Sequence, residues 1–378
     1  MGDPPTPLFT GELERIGSST AKLHFTDAGS YQKKEIDAAA KDQEAAANFL
    51  VDWLEKQAGF DAVRAIGHRI VHGMQHTAPE RITPVLLDEL KKISAYDPEH
   101  LPGEIKLIEI FIRRRPEVEQ IACFDTSFHT SMPPVAKLLP LPQRYEAMGL
   151  QRYGFHGLSY AWLLQELARS AGDQAAKGRL ILAHLGNGAS LAAVKEGKCM
   201  DTSMGFSPAS GLVMGTRTGD LDPGVAWYLM QTEKLDPHQF NYLVNHHSGL
   251  LGISGISSDM RELLQQQSSD RQAARAIELF CYQVKKWIGS FTTVLEGLDT
   301  LVFSGGIGEN SPEVRSRICQ GLQFLGIELD EEKNQGNEES ISAGSSKVSV
   351  RVMKTNEESM IAELVNTLLK TSLKNKVL

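Results

Sequence analysis

Apolar residues along this chain recur with two different periods, and segments of the two kinds alternate. Ala47, Phe49, Leu50, Trp53 and Leu54 share one stripe, which predicts a helical stretch over 37–57. Positions 61–71 lead into an apolar run, and 85–93 has helical spacing. QIACF at 120–124, closed by Asp125, reads as a short buried strand. The second half continues the scheme. RLILA at 179–183 and the run at 190–194 read as strands around a glycine loop. The clearest helix covers 270–295, with Ile277, Phe280, Cys281, Val284, Trp287, Ile288 and Phe291 at i, i+3, i+4, i+7 spacing. Residues 300–303 form a further strand, and 347–354 alternates like one. A closing helix carries Ile361, Leu364, Val365, Leu368 and Leu369 on one face, and 334–346 reads as a polar surface loop. This alternation predicts an α/β architecture rather than a sandwich or a bundle. No repeat at a solenoid period is present.

Composition narrows the function classes. At 378 residues and 41% apolar the chain is long enough for two or three domains of ~150 residues each. The net charge of −8 argues against nucleic acid or an anionic membrane as the main partner. Four cysteines with no CxxC spacing exclude a disulfide framework and a zinc ribbon, and suit a reducing cytoplasm. No apolar run approaches the ~20 residues of a membrane span. Residues 1–6 (MGDPPT) lack the basic and apolar regions of a signal peptide, but fit a loose myristoylation pattern.

Three glycine-rich segments follow or flank apolar strands. HLGNGAS at 184–190 reads either as an ordinary hairpin turn or as a nest of backbone N–H groups for an anion. SGGIGEN at 304–310, with Ser311, Pro312 and Glu313 behind it, predicts strand, glycine turn and capped helix. Such a helix start suits a nucleotide, yet the segment matches neither a Walker A loop nor a Rossmann fingerprint. In GLVMGTRTGD at 211–220, Arg217 is either a solvated surface arginine or a planar fork aimed at a phosphate. Thr355 and Glu358 have capping-box spacing, which leaves Glu357 as a carboxylate suited to magnesium.

GHRIVHG at 67–73 is a strand candidate. If extended, it puts Arg69 and Val71 on one face and His68, Ile70 and His72 on the other. A cation beside an apolar wall suits a small carboxylate with a short alkyl tail. A metal site from His68, His72 and His76 is the rival, weakened by the lack of interleaved acids. His156 in RYGFHGLSY, taken alone, reads as a core histidine.

Taken together, these segments are not independent. GHRIVHG, FDTSFHTSMP (124–133), RYGFHGLSY (152–160), HLGNGAS, DTSMGFSPASGLVMGTRTGDLDP (201–223), SGLLGISGISSDMREL (248–263), FSGGIGENS (303–311) and KTNEES (354–359) stand in the order and spacing found in acetate kinases, and the chain resembles that family from about residue 11 onward. The resemblance implies the actin-like ATPase superfamily: two ribonuclease H-like domains around a nucleotide cleft. Residues 1–129 with 359–378 would form the N-terminal domain and 130–358 the C-terminal, nucleotide-binding one. It also implies a homodimer in the cytoplasm.

The resemblance also implies roles. Asp125, His156 and Arg217 would be catalytic, the last two stabilising the transition state. Arg69 would bind the substrate carboxylate, with Val71, Phe155 and Pro208 around the acyl group. The nucleotide would meet His184, Leu185, Gly186, Asn187 and Gly188, then Asp259, Met260 and Arg261, then Gly306, Ile307, Gly308, Glu309 and Asn310. Glu357 would hold Mg2+ (or Mn2+). The implied reaction is ATP plus acetate to ADP plus acetyl phosphate. A carboxylate is ionised at neutral pH, its pKa lying near ~4, so no general base is needed. A loose, metaphosphate-like transition state wants donors around its equator. On this reading Asp125 orients its neighbours rather than taking a proton.

Two departures stand out. The family opens with an apolar strand and an N-x-G-S-S-S phosphate loop, which this chain lacks; GSSTAK at 17–22 resembles that loop but has no apolar strand before it, and reads as a decoy. Either the reading frame begins upstream of Met1, or the protein starts there and is impaired. The family's apolar residue before a pocket histidine is Glu99 here, beside His100, which leaves acetate against propionate or butyrate open. A nucleotide-binding homologue with little turnover and a kinase acting on hydroxyl groups are the readings from other classes.

Overall fold

The computed structural model describes residues 5–27 and 32–375; the 1–6 myristoylation pattern falls mainly outside them. The chain divides into two compact units, residues 1–125 with 357–378, and residues 126–356. These breaks fall at 125/126 and 356/357, against the expected 129/130 and 358/359: Asp125 directly follows the strand Glu119–Phe124 of the first unit, and Glu357 begins its last helix.

In the first unit, β1 (Phe9–Glu14), β2 (Lys22–Asp27) and β3 (Lys33–Asp37) form an antiparallel meander. A second sheet pairs β4 (Ala65–Ile70) parallel to β6 (Glu119–Phe124), with the short β5 (Glu80–Arg81) antiparallel on the far edge of β6. These are two separate sheets; no strand joins them among the described residues. The stretch expected to be helical over 37–57 is helical only over Gln43–Leu54. Asp42 sets that start, since its carboxylate accepts from the Ala45 N–H, and the residues before it continue the meander. GSSTAK at 17–22 is the turn between β1 and β2 and the start of β2, as its decoy reading requires.

Helices Pro84–Ile93 and Leu101–Arg114 cover one face of the β4–β6 sheet. Their Leu86, Leu90, Ile105 and Ile108 pack with Ile70 and Phe124 in one core cluster. The helix Glu357–Asn375 lies against β4, where a Cβ at Gly67 would stand 2.3 Å from Ile361 and 2.9 Å from Val365.

The second unit holds one five-stranded sheet: β7 (Arg179–Leu185), β8 (Ala189–Lys195), β9 (Lys198–Thr202), β10 (Thr300–Ser304) and β11 (Ser349–Val352). Its order is β11-β10-β7-β8-β9, with β7, β8 and β9 antiparallel and β10 and β11 parallel to β7. This is the strand order of a ribonuclease H-like core. Helix Arg271–Val294, started by the Asp270 cap, buries the predicted stripe except Trp287. The C-terminal ends of β7, β10 and β11 lie side by side, so the segments after them gather at one sheet edge, the usual ligand position in α/β sheets.

The segment 334–346 is not a plain surface loop. Asn334 and Ile341 are fully buried. Asn334 accepts from the Arg315 Nε at 2.8 Å, and its carbonyl accepts from Arg315 Nη2 at 2.8 Å. The fully buried Arg315 guanidinium also donates to the Gly308 and Glu309 carbonyls, which fastens the far end of the 305–310 segment. Burial draws its pKa down to about 10, still charged at neutral pH. Asn334→Ala should therefore destabilise the fold by roughly 2–3 kcal/mol, because a buried charge loses its hydrogen-bond acceptor; a denaturant titration showing no change would contradict this role.

Candidate active site

In the first unit, parallel pairing sets Arg69 opposite Cys123, so Arg69 and Asp125 emerge at neighbouring strand ends. Arg69 Nη2 donates to Asp125 Oδ2 at 2.5 Å, and its Nε lies 3.3 Å from Glu357. Asp125 is fully buried, while Arg69 keeps 38% of its side chain exposed. The Asp125 charge holds the arginine firmly protonated. Burial and the Asp125 charge push Glu357 up to about 7.

A fourth charged group, Glu104, has no counterpart in the sequence reading. Pro102 and Gly103 just before it mark a helix start, where an acid reads as ordinary dipole compensation. Instead both its oxygens accept from the Val71 N–H at 3.2 Å, and burial of the carboxylate pushes its pKa up to about 8. Glu99, by contrast, is exposed, while Asp97 is buried and bonded to His100 Nδ1 at 2.9 Å. The three histidines of the rival metal reading separate. His68 is buried against Gln120 and held near pKa 4 by desolvation, and His76 pairs with Glu80. No group of three or more His, Cys, Asp or Glu among the described residues is arranged to hold a metal ion.

In the second unit, β7 and β8 are joined by the glycine turn at 186–188, so the hairpin reading of HLGNGAS is correct. The turn is also where charge gathers. A Cβ at Gly188 would stand 3.2 Å from His156 Nε2 and 3.8 Å from Arg217 Nη1. Both nitrogens therefore stand before backbone that carries no side chain. Arg217 is not a solvated surface arginine: its Nη1 donates to the Pro208 carbonyl at 3.2 Å. His156 starts helix Gly157–Ala171 with φ 58°, and its ring stacks on His184 at 4.3 Å. Phe155 and Pro208 are buried in this unit, and Val71 is buried in the first.

Beside the turn is a cavity of about 700 Å³ lined by Gly186, Asn187, Asp259, Met260, Arg261, Gly306, Ile307 and Asn310 among others. That volume is ample for a nucleoside. Asp259 caps its helix and binds Arg261, which holds the carboxylate below its usual range. Five of the expected nucleotide residues are not on the wall, and one of them, Gly188, faces His156 and Arg217 instead. Leu185 is core, and Gly308 is packed behind the wall. His184 bonds Ser159. Glu309 turns back to accept from the Gly305 and Thr355 N–H groups. The expected glycine turn at 304–310 is itself a short helix, Gly305–Asn310, since Glu309 satisfies its first N–H. The Thr355 hydroxyl bonds Ser159 at 2.7 Å, which makes it a strut of this unit.

Two outcomes follow from this geometry. Gly188→Ala should keep the fold and lower turnover by on the order of 100-fold, because the new methyl fills the space before His156 and Arg217; steady-state kinetics and melting temperature separate the two effects. Glu104 and Glu357 bind protons in the folded chain that the unfolded chain releases near pH 4.5, so stability should fall as pH rises from about 4.5 to about 8. Glu104→Gln should flatten that fall and gain on the order of 3 kcal/mol over the native chain at pH 8, read from urea midpoints at pH 5 and pH 8.

Comparison with known proteins gives one answer. Residues 3–363 match the acetokinase family. A propionate kinase of Citrobacter rodentium is 42% identical over 94% of this chain and 89% of its own. An acetate kinase of Treponema denticola is 40% identical over 96% and 94%. Among solved structures, the Porphyromonas gingivalis acetate kinase superposes with a TM-score of 0.85 at 35% identity, covering 96% of this chain and 93% of that one. A propionate kinase of Francisella tularensis gives 0.88 at 36%, covering 94% and 92%. The chain belongs to the acetokinase family, whose members are phosphotransferases acting on carboxyl groups.

Proposed function

We propose that this chain catalyses reversible, direct in-line transfer of the γ-phosphoryl group of ATP to acetate, giving acetyl phosphate and ADP. The observation that carries the reading is the convergence of His156 Nε2 and Arg217 Nη1 on Gly188, beside a cavity of nucleoside size. In this reading the adenosine occupies the cavity, and the 186–188 turn and the start of helix Gly305–Asn310 offer backbone N–H groups to the phosphates. His156 and Arg217 donate to the equatorial oxygens as the phosphoryl moves. Arg69 binds the acceptor carboxylate, and Val71 gives the acyl group an apolar wall.

Asp125 holds Arg69 through a charged hydrogen bond, which supports an orienting role. An acceptor that is already ionised needs no base, so the reading favours a carboxylate over a hydroxyl substrate. Mg2+ or Mn2+ would be held by Glu357, a hard oxygen donor whose charge burial and the neighbouring Asp125 disfavour until a cation arrives. When bound, the ion neutralises charge on the phosphate oxygens. With no cluster of three protein ligands among the described residues, it would keep phosphate and water in its remaining positions.

Relatives named for acetate and for propionate match this chain about equally well, so propionate is the second reading. The exposure of Glu99 removes it as the arbiter of acyl length. We also assign a homodimer. Helices Pro223–Thr232 and Pro237–His246 bury no residue, yet they expose Trp227, Tyr228 and Tyr242. A second copy covering that face accounts for the exposed aromatics. Four buried free thiols fit a cytoplasmic setting, and no helix among the described residues is long and apolar enough to cross a membrane.

A coupled hydroxamate assay on acetate, propionate, butyrate and glycerol tests the reaction. Product from acetate and propionate, and none from glycerol, is expected. Nucleotide binding without product from any carboxylate would overturn the reading. Asp125→Asn should lose activity by roughly 100-fold or more as Arg69 loses its anchor; full retention of the rate would remove Asp125 from the machinery.

A further inference from the structure

His156 contacts the reacting group only through Nε2, so the location of its proton decides whether it attracts or repels a phosphoryl oxygen. Its other nitrogen, Nδ1, lies 2.8 Å from the Ser190 Oγ. Ser190 Oγ in turn lies 2.5 Å from the Tyr160 hydroxyl. Both Ser190 and Tyr160 are fully buried. Ser190 is fixed by β8, opposite His184, and Tyr160 sits one helical turn after His156, whose carbonyl accepts from the Tyr160 N–H at 3.0 Å. The three groups thus form a short chain of hydrogen bonds pinned at both ends by backbone.

The Ser190 hydroxyl either donates its one proton to Nδ1 or accepts a proton from it, and these two cases set the tautomer of His156. In the first, Tyr160 O–H donates to Ser190 and Ser190 O–H donates to Nδ1. The neutral ring then carries its proton on Nε2, as a donor aimed at Gly188. In the second, Nδ1–H donates to Ser190, and Nε2 turns a lone pair toward the same point. A lone pair there would repel the anionic oxygen that Arg217 Nη1, 3.8 Å from the Gly188 Cβ position, is placed to attract. A doubly protonated ring would meet the Arg217 charge at that point and the His184 ring stacked on its face.

We propose that Tyr160 and Ser190 are positioning residues that lock His156 in its neutral Nε2–H form, so that it acts as a fixed hydrogen-bond donor to the transferring phosphoryl group. This rests on the phosphoryl-transfer reading of the site. No proton is transferred in the step: the Nε2–H bond stays intact while the phosphorus–oxygen bond to ADP breaks and the one to the carboxylate forms. The arrangement fixes which nitrogen carries the proton, and it keeps a second full positive charge away from Arg217.

Nitrogen-15 NMR of histidine-labelled protein tests the lock, with the His156 signals assigned by their loss in His156→Gln. The expected result at pH 8 is a protonated Nε2 and an unprotonated Nδ1. A protonated Nδ1 overturns the proposal. Tyr160→Phe removes the outer hydroxyl and should introduce the second tautomer. It should also lower kcat by on the order of 10-fold, with KM for ATP and acetate unchanged, as when other partners that fix a histidine are removed. Ser190→Ala should do the same, and Ser190→Thr should restore both the spectrum and the rate. If Tyr160→Phe leaves the tautomer unmixed, or if Ser190→Thr fails to restore a folded protein's rate, the relay is not the cause. The NMR result does not depend on turnover. A chain with the expected tautomer and no carboxylate product would therefore keep the lock and reject the reaction.

Discussion

Moving a phosphoryl group requires hydrogen-bond donors that do not relax as charge migrates, and in the proposed site the constraint falls on a residue without a side chain. Gly188 leaves open the space that His156 Nε2 and Arg217 Nη1 face. Everything around it holds those two groups still. His156 stands in the left-handed region at the head of a helix, is bonded through Ser190 and is stacked on His184. Arg217 is tied to the Pro208 carbonyl. Preorganisation of this kind carries more catalytic weight than any single donor, since no reorganisation is needed at the moment of transfer.

The same economy governs the first unit. Four charged groups, Arg69, Asp125, Glu357 and Glu104, come from a strand end, a second strand end and two helix starts. Burial makes the charged forms of Glu104 and Glu357 costly, the Asp125 charge adds to that, and the raised pKa values of both express it. The unit trades stability at alkaline pH for a concentrated site, a common arrangement where function depends on charge.

Much of this was legible in the chain. The long 271–294 helix, four of the five strands of the second unit and the buried strand closed by Asp125 follow from periodicity and short-range chemistry. The resemblance named His156 and Arg217, which stand together before Gly188, from segments far apart in sequence. The misses share a cause. Glu104 drew no reading at all, Asn334 looked like part of a polar loop and Glu309 like a nucleotide contact, because the partner of each lies elsewhere in the fold. Val71, Arg315 and Thr355 supply the hydrogen bonds that define them. Local pattern reads propensity and face; it does not read which buried polar group a distant side chain must satisfy. The role of Tyr160 is hidden for the same reason, since its hydroxyl matters only through Ser190.

The claim that His156 and Arg217 serve one migrating group is tested most directly by a double-mutant cycle on kcat with His156→Ala, Arg217→Ala and the pair. Groups acting on the same phosphoryl should couple, so the double variant should lose less than the two single losses combined, by at least about 1 kcal/mol. Losses that add within about 0.3 kcal/mol, or a His156→Ala enzyme at full speed, would contradict it.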